Sequence, residues 1–310
     1  SKNEFLENAI KYAIFNSKGD LINSGSVPKT GIVTMANNMY LASNNSASYT
    51  LIVWLDNTNY NQNDEMGKII TVSSVKGGVG KTTLTMNLAG LYFLMKKKVL
   101  IIDLDLYAGG IATCLNINNK KDIYMLVDSL SNNRTVTLKD YVCMYNSGID
   151  VLASPKDPRD VSKIESKYIS KIFDMAKQIY DVILVDTSHL LDEICLVAID
   201  ASYNSAFVLT NDLVDLKNMK SLISIFEEAN KSNYRLILNN SRDTGRDYIS
   251  LFDVRNMLKK NIDFTISKNF YIKNIDKYVL KGEILTLNKY INKVYGNDIK
   301  NMNKLALELI

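Results

Sequence analysis

The chain holds 310 residues, 46% of them hydrophobic and 23% charged, with a net charge of +4. That balance is ordinary for a soluble globular protein, and no apolar run reaches the roughly 20 residues that a membrane-spanning helix needs. Cys114, Cys143 and Cys195 show no C-x-x-C spacing, which argues for free thiols in a reducing cytosol and against a zinc or iron–sulfur site.

The length suits one large domain with a small one. Residues 1–10 have neither a basic start nor a long apolar core, so no secretory signal is read there. Glu4 to Phe15 reads as a helix running into a strand, and Tyr49 to Leu55 as a buried strand. The polar stretch 56–65 reads as a linker. It sets a boundary near Met66, between an N-terminal piece, 1–66, and a main domain, 67–310.

From Lys68 onward, strands and helices alternate. Predicted strands cover 68–75, 99–102, 149–153, 182–185, 205–210 and 234–238. Predicted helices cover 84–94, 122–130, 137–144, 161–179, 213–230 and 299–310. Fully apolar strands spaced by helices predict an α/β fold: a mostly parallel, doubly wound sheet covered on both faces. Ligands in such sheets sit at the carboxyl ends of the strands. Met302, Leu305, Ala306, Leu309 and Ile310 form a core-facing stripe on the last helix. From Arg255 to Ile310 there are 11 Lys/Arg against 5 Asp/Glu. This basic C-terminal stretch is read chiefly as solvated surface, with DNA or an anionic membrane as the weaker reading.

The informative stretch is Lys76-Gly77-Gly78-Val79-Gly80-Lys81-Thr82-Thr83, between the first of these strands and the first helix. Glycines let successive backbone N–H groups point inward, and the helix N-terminus adds unpaired N–H groups and positive charge. That is a phosphate cradle. Lys81 is placed to reach the β- and γ-phosphates, Thr82 to bind Mg²⁺ and Thr83 to touch the α-phosphate. Two residues apart, Asp103 and Asp105 share a face at a strand end. Asp186 ends the strand 182–185, where a carboxylate can hold a Mg²⁺-bound water. His189, the one histidine in the chain, is read as an incidental loop residue rather than a general base. Asn239 and Asn240 end the strand 234–238, where an amide can pair with N1 and N6 of adenine.

Residues 76–83 resemble the deviant Walker A box of the ParA/MinD superfamily: Val75 stands where the standard loop has its first glycine, and the early lysine, Lys76, follows. The resemblance implies a P-loop NTPase that binds ATP and Mg²⁺ and closes as an ATP-sandwich homodimer. In it Lys76 crosses to the partner's nucleotide, and Lys76, Lys81 and Asp105 form the catalytic set. Asp105 positions the attacking water, Thr82, Asp103 and Asp186 hold or support the metal, and Asn239 contacts adenine. Gly77, Gly78, Val79, Gly80, Lys81, Thr82 and Thr83 wrap the phosphates.

Five segments look most like the CpaE/TadZ branch, the localisation ATPases of Flp-type pili: 101–110, 151–155, 180–187, 212–218 and 236–240. Ser188 and Ser267 depart from that pattern, each standing where a proline is usual. The branch implies an N-terminal receiver-like piece; residues 1–66 are too few for a whole receiver and lack its acidic pair, so a degenerate, unphosphorylated docking piece is expected. The function implied is a slow, ATP-switched cytoplasmic protein, recruited to a cell pole, that positions a pilus or secretion assembly. The alternatives are a DNA-partitioning ATPase of ParA type and a membrane-cycling ATPase of MinD type.

Overall fold

The computed structural model describes residues 10–15, 21–26, 50–55, 66–240, 249–268, 270 and 275–310. The chain divides into two compact units, Ser1–Glu65 and Met66–Ile310.

In the first unit, β1 (Ile10–Phe15), β2 (Leu21–Ser26) and β3 (Thr50–Leu55) form a three-stranded sheet in the order β2-β1-β3. Both pairings are antiparallel. This pairing differs from the one expected of a receiver-like piece. A receiver belongs to the parallel, doubly wound class, and the short link from Phe15 to Leu21 cannot carry the crossover that a parallel pair requires. Asp56 follows the strand Thr50–Leu55, where it could mimic a receiver's phospho-acceptor, and lies outside the described residues.

The second unit is built on eight strands: β4 (Lys68–Ser73), β5 (Val99–Leu104), β6 (Cys143–Asn146), β7 (Ile149–Leu152), β8 (Val182–Thr187), β9 (Asn204–Leu209), β10 (Tyr234–Asn239) and β11 (Phe264–Ile266). Their order is β11-β10-β9-β4-β8-β5-β7-β6. Every pair is parallel except β6–β7. The predicted helix 137–144 is corrected: it is a single turn at Leu138–Asp140 followed by strand β6. The cause is a turn chemistry. Oδ1 of Asn146 accepts the N–H groups of Gly148 and Ile149, folding the chain back into a hairpin.

Helices cover both faces. On one lie α1 (Lys81–Leu94) and the C-terminal α10 (Gly296–Leu309), packed on Ile70, Val72, Ile101 and Leu184. Ile299, Met302, Leu305, Ala306 and Leu309 face inward, matching the stripe read from sequence. The Tyr92 hydroxyl donates to the carbonyl of Ala306 at 2.7 Å. Asn87 clasps α1 to the segment Leu285–Leu287: its Nδ2 donates to Thr83 O, its Oδ1 accepts Thr286 N–H, and its carbonyl accepts the Thr286 hydroxyl.

Between α1 and α10 in sequence come α2 (Ile111–Cys114), α3 (Ile123–Ser131), α4 (Ser166–Lys177), α5 (Glu193–Asp200), α6 (Leu213–Glu228), α7 (Leu251–Leu258), α8 (Asp276–Val279) and α9 (Lys289–Val294). The opposite face packs α3, α4 and α5 over Ile69, Leu100, Ile102 and Ile183, and α6 and α7 over Phe207, Leu209 and Leu236. Side-chain caps start several of these helices. Asp122 opens α3, Asp192 opens α5, Asp212 opens α6, and Ser250 with Asp253 forms a capping box on α7. Burying one such Leu or Ile side chain stabilises the fold by roughly 1.5–3 kcal/mol, so the sheet is a rigid floor. The carboxyl ends of β4, β5, β8, β9 and β10 lie along one edge of it.

Candidate nucleotide site

β4 runs out at Ser73, and the chain turns through residues 74–80 into α1. Gly78 (φ 74°) and Gly80 (φ 102°) adopt left-handed conformations that other residues rarely take. Val79 is buried in the core and pins the turn from below. Asn239, arriving at the end of β10, donates Nδ2 to the carbonyl of Val79 at 2.8 Å. A Cβ on Gly80 would lie 2.6 Å from that same nitrogen. Glycine is therefore required at 80 both by conformation and by space.

The Asn239 bond adds to the sequence expectation. Asn239 thus props the phosphate loop with one amide hydrogen, a role beside the adenine contact expected of it. Its neighbour Asn240 has a buried Oδ1 with no hydrogen-bond partner among the described residues.

Lys81 is buried, and its Nζ donates to Ser74 Oγ at 3.0 Å, while Ser74 Oγ donates to the Lys76 carbonyl at 2.8 Å. Lys76 points elsewhere, toward Asp212 Oδ1 at 3.1 Å. Gly77 has His189 for a neighbour, its ring 3.7 Å or more from where a Cβ would stand. The structure thus brings the histidine against the loop, which spacing alone did not reveal.

Asp186, at the end of β8, is almost fully buried. The Thr82 hydroxyl donates to its Oδ2 at 2.6 Å and the Thr85 hydroxyl to its Oδ1 at 3.2 Å. Asp103 stands in register with Asp186 on the neighbouring strand. Its Oδ1 accepts the Asp105 N–H at 3.2 Å and its Oδ2 the Ile111 N–H at 3.1 Å. Asp103 therefore organises the loop that carries Asp105, a task the sequence did not suggest. Burial pushes Asp103 up to about 8, helped by the repulsion of Asp186. Burial likewise lifts Asp186 to about 6, against the pull of the Thr82 hydrogen bond and the Lys81 charge. Asp105 adds its own repulsion to both.

The Thr82 hydroxyl and the Asp186 carboxylate, with Asp103 in register beside it, offer oxygen donors alone. Mg²⁺ fits such a set. Among the described residues, no group of three or more His, Cys, Asp or Glu side chains could hold a metal alone. That agrees with the way Mg²⁺ is held by one or two carboxylates together with phosphate oxygens. Thr82 and Asp186 are the residues that would hold it. A groove of 720 Å³ beside β6, lined in part by Ile117, Met144, Tyr145 and Lys281, carries none of these groups.

Ser74, Thr85 and Asn87 escaped the sequence reading. Thr85 is four residues after Lys81 and three after Thr82, so helical spacing alone puts it on their face. Its partner is 101 residues away.

A strand, a left-handed glycine turn with a buried lysine, and a hydroxyl–carboxylate pair at one sheet edge define a P-loop nucleotide-binding α/β protein. The chain belongs to the AAA_31 family, described as an AAA domain, which matches residues 67–240. It is 25% identical over 179 residues to the septum site-determining protein MinD of Synechocystis, covering 57% of this chain and 66% of that one. It is 25% identical over 200 residues to the chromosome-partitioning ATPase Soj of Treponema pallidum, covering 64% and 76%. Its fold is that of the septum site-determining protein MinD of Pyrococcus horikoshii, solved with Mg-ADP. The TM-score is 0.64 and the identity 23%, over 78% of this chain and 96% of that one. Family, relatives and fold together identify a P-loop ATPase of the ParA/MinD superfamily. Among the described residues, no helix is long and apolar enough to cross a membrane.

Proposed function

We propose that the chain is a Mg²⁺-dependent, slowly hydrolysing ATPase that acts as a dimeric positioning switch. The observation that carries this is the loop 76–83, with Lys81 folded against Ser74 and the Thr82–Asp186 pair beside it. On this reading Lys81 moves from Ser74 to the β- and γ-phosphates, and the N–H groups of residues 77–83 wrap them. Asp105 holds the attacking water in line, and Asn239, at the end of β10 beside the loop, takes the base contact. Bound Mg²⁺ supplies charge neutralisation at the phosphate oxygens. Phosphoryl transfer asks mostly for positioning and charge stabilisation, and both are what these residues offer.

A homodimer follows from Lys76. Its ammonium group lies on the same sheet edge as the loop, and Tyr107, Leu190, Leu213 and Val214, all just past strand ends on that edge, are exposed. A face carrying both an unburied apolar set and a part-exposed cation suits a second copy of the chain. The segments resembling CpaE/TadZ support a pilus or secretion assembly as the object positioned, at a cell pole. The named relatives favour a second reading, septum-site selection or chromosome partitioning, through MinD-like membrane cycling or Soj-like DNA binding.

The test is light scattering after size exclusion, with and without ATP and Mg²⁺. The wild type forms an ATP-dependent dimer, Lys76→Ala weakens it, and Asp105→Ala prolongs it. A Lys76→Ala protein that dimerises as well as wild type overturns the trans-acting lysine. DNA binding that needs ATP and weakens steeply with salt selects the partitioning reading, and ATP-dependent sedimentation with vesicles selects the membrane-cycling one.

A further inference from the structure

We infer that Thr85 is a positioning residue for the metal-binding carboxylate, a role that rests on the ATP–Mg²⁺ reading of the site. Thr85 is fully buried, one turn into α1. Its hydroxyl has one proton and two acceptors: the Lys81 carbonyl at 3.0 Å and Asp186 Oδ1 at 3.2 Å. The first is the ordinary back-bond of a helical threonine. The second is charge-assisted when Asp186 is ionised, and such bonds are roughly twice as strong as neutral ones.

The consequence is orientation. Thr82 holds Oδ2 and Thr85 holds Oδ1, so the plane of the carboxylate is fixed at both oxygens by two hydroxyls of one helix. A carboxylate gripped at Oδ2 alone turns about its Cβ–Cγ bond. Thr82 donates its proton to Asp186 and so keeps oxygen lone pairs for a cation, an arrangement that holds only while the carboxylate stays in plane. Both hydroxyls ride on the helix that begins with Lys81. The phosphate-binding and metal-binding groups are thereby locked to one rigid body, as precise sites require.

Thr85→Val keeps the shape and removes the hydroxyl; Thr85→Ser keeps the hydroxyl and removes the methyl. The readout is binding of a fluorescent ATP analogue titrated with Mg²⁺, alongside thermal melting without nucleotide. The half-saturating Mg²⁺ concentration rises about tenfold in Thr85→Val, as is typical when a partner of a metal ligand is lost, while Thr85→Ser stays near wild type. Nucleotide binding in EDTA is unchanged in both. Equal Mg²⁺ requirements in Thr85→Val and wild type overturn the assignment, and so does a Thr85→Ser protein as impaired as Thr85→Val. Thr85→Ala gives the same readout if the valine variant does not fold. A wild type whose nucleotide binding ignores Mg²⁺ altogether overturns the reading of the site itself, a distinct result.

Discussion

Lys76 is tied to its own chain: its Nζ lies 3.1 Å from Asp212 Oδ1, the same oxygen that accepts the Val214 and Asp215 N–H groups opening α6. The cap bond from Asp215 and then the Lys76 ammonium hold the Asp212 carboxyl below its usual range. A lysine that serves a partner subunit must first leave this carboxylate. Both groups are about two-fifths exposed, so solvent screens the pair and little energy is at stake. Asp212→Asn keeps an N-cap and releases the lysine. It should lower the concentration at which ATP drives dimerisation by a few-fold, as measured by analytical ultracentrifugation; an unchanged midpoint would show that the internal pair does not compete.

Asn239 supports the phosphate loop from the far end of β10. Asn239→Ala removes the donor to the Val79 carbonyl and leaves that buried acceptor unpaired, a loss of roughly 1–3 kcal/mol. Denaturant unfolding should show that loss, and ATP affinity should fall with it. Asn239→Asp should be worse, since a carboxylate oxygen then faces the carbonyl.

The buried carboxylates give stability a definite pH dependence when no divalent cation is present. Asp103 and Asp186 titrate near 8 and 6 in the folded chain, both above the 3.8 of an ordinary aspartate. The folded state therefore binds more protons than the unfolded state between about pH 4 and pH 8, and stability falls as pH rises through that window. The Asp186 share is lost by about pH 6 and the Asp103 share by about pH 8. Urea titrations in EDTA from pH 4.5 to 8.5 should show the decline, and Asp103→Asn should flatten its upper part. A profile that rises across the window would contradict these environments.

Tyr92→Phe isolates the link between α1 and α10. The hydroxyl is buried and bonded to the Ala306 carbonyl. Its removal should cost about 1–2 kcal/mol in denaturant unfolding and leave nucleotide affinity unchanged, because the bond lies far along α1 from the loop.

Much of this was legible in the sequence for physical reasons. Strands buried on both faces are apolar throughout, so β4, β5, β8, β9 and β10 stand out, and a glycine turn between a strand and a helix has few other uses. The edge hairpin was not legible: β6 is half-buried and short, and its turn is made by one asparagine side chain. Helix α5 was passed over because eight residues hold barely two turns of pattern. The role of Asn239 depends on a carbonyl 160 residues away, and Asp103 turned out to cap a loop rather than simply face a cation. Strand polarity in the N-terminal unit is set by pairing partners, which no local pattern encodes.

The clasp between Asn87 and Thr286 bears on how the chain matures during synthesis. The helix that follows the loop is sealed on one side only by residues 285–309, some two hundred positions downstream. At roughly 5–20 residues per second, a ribosome takes on the order of ten seconds or more to deliver that cover. Through that interval the apolar flank of α1 stands open, which makes it a natural place for a chaperone to hold.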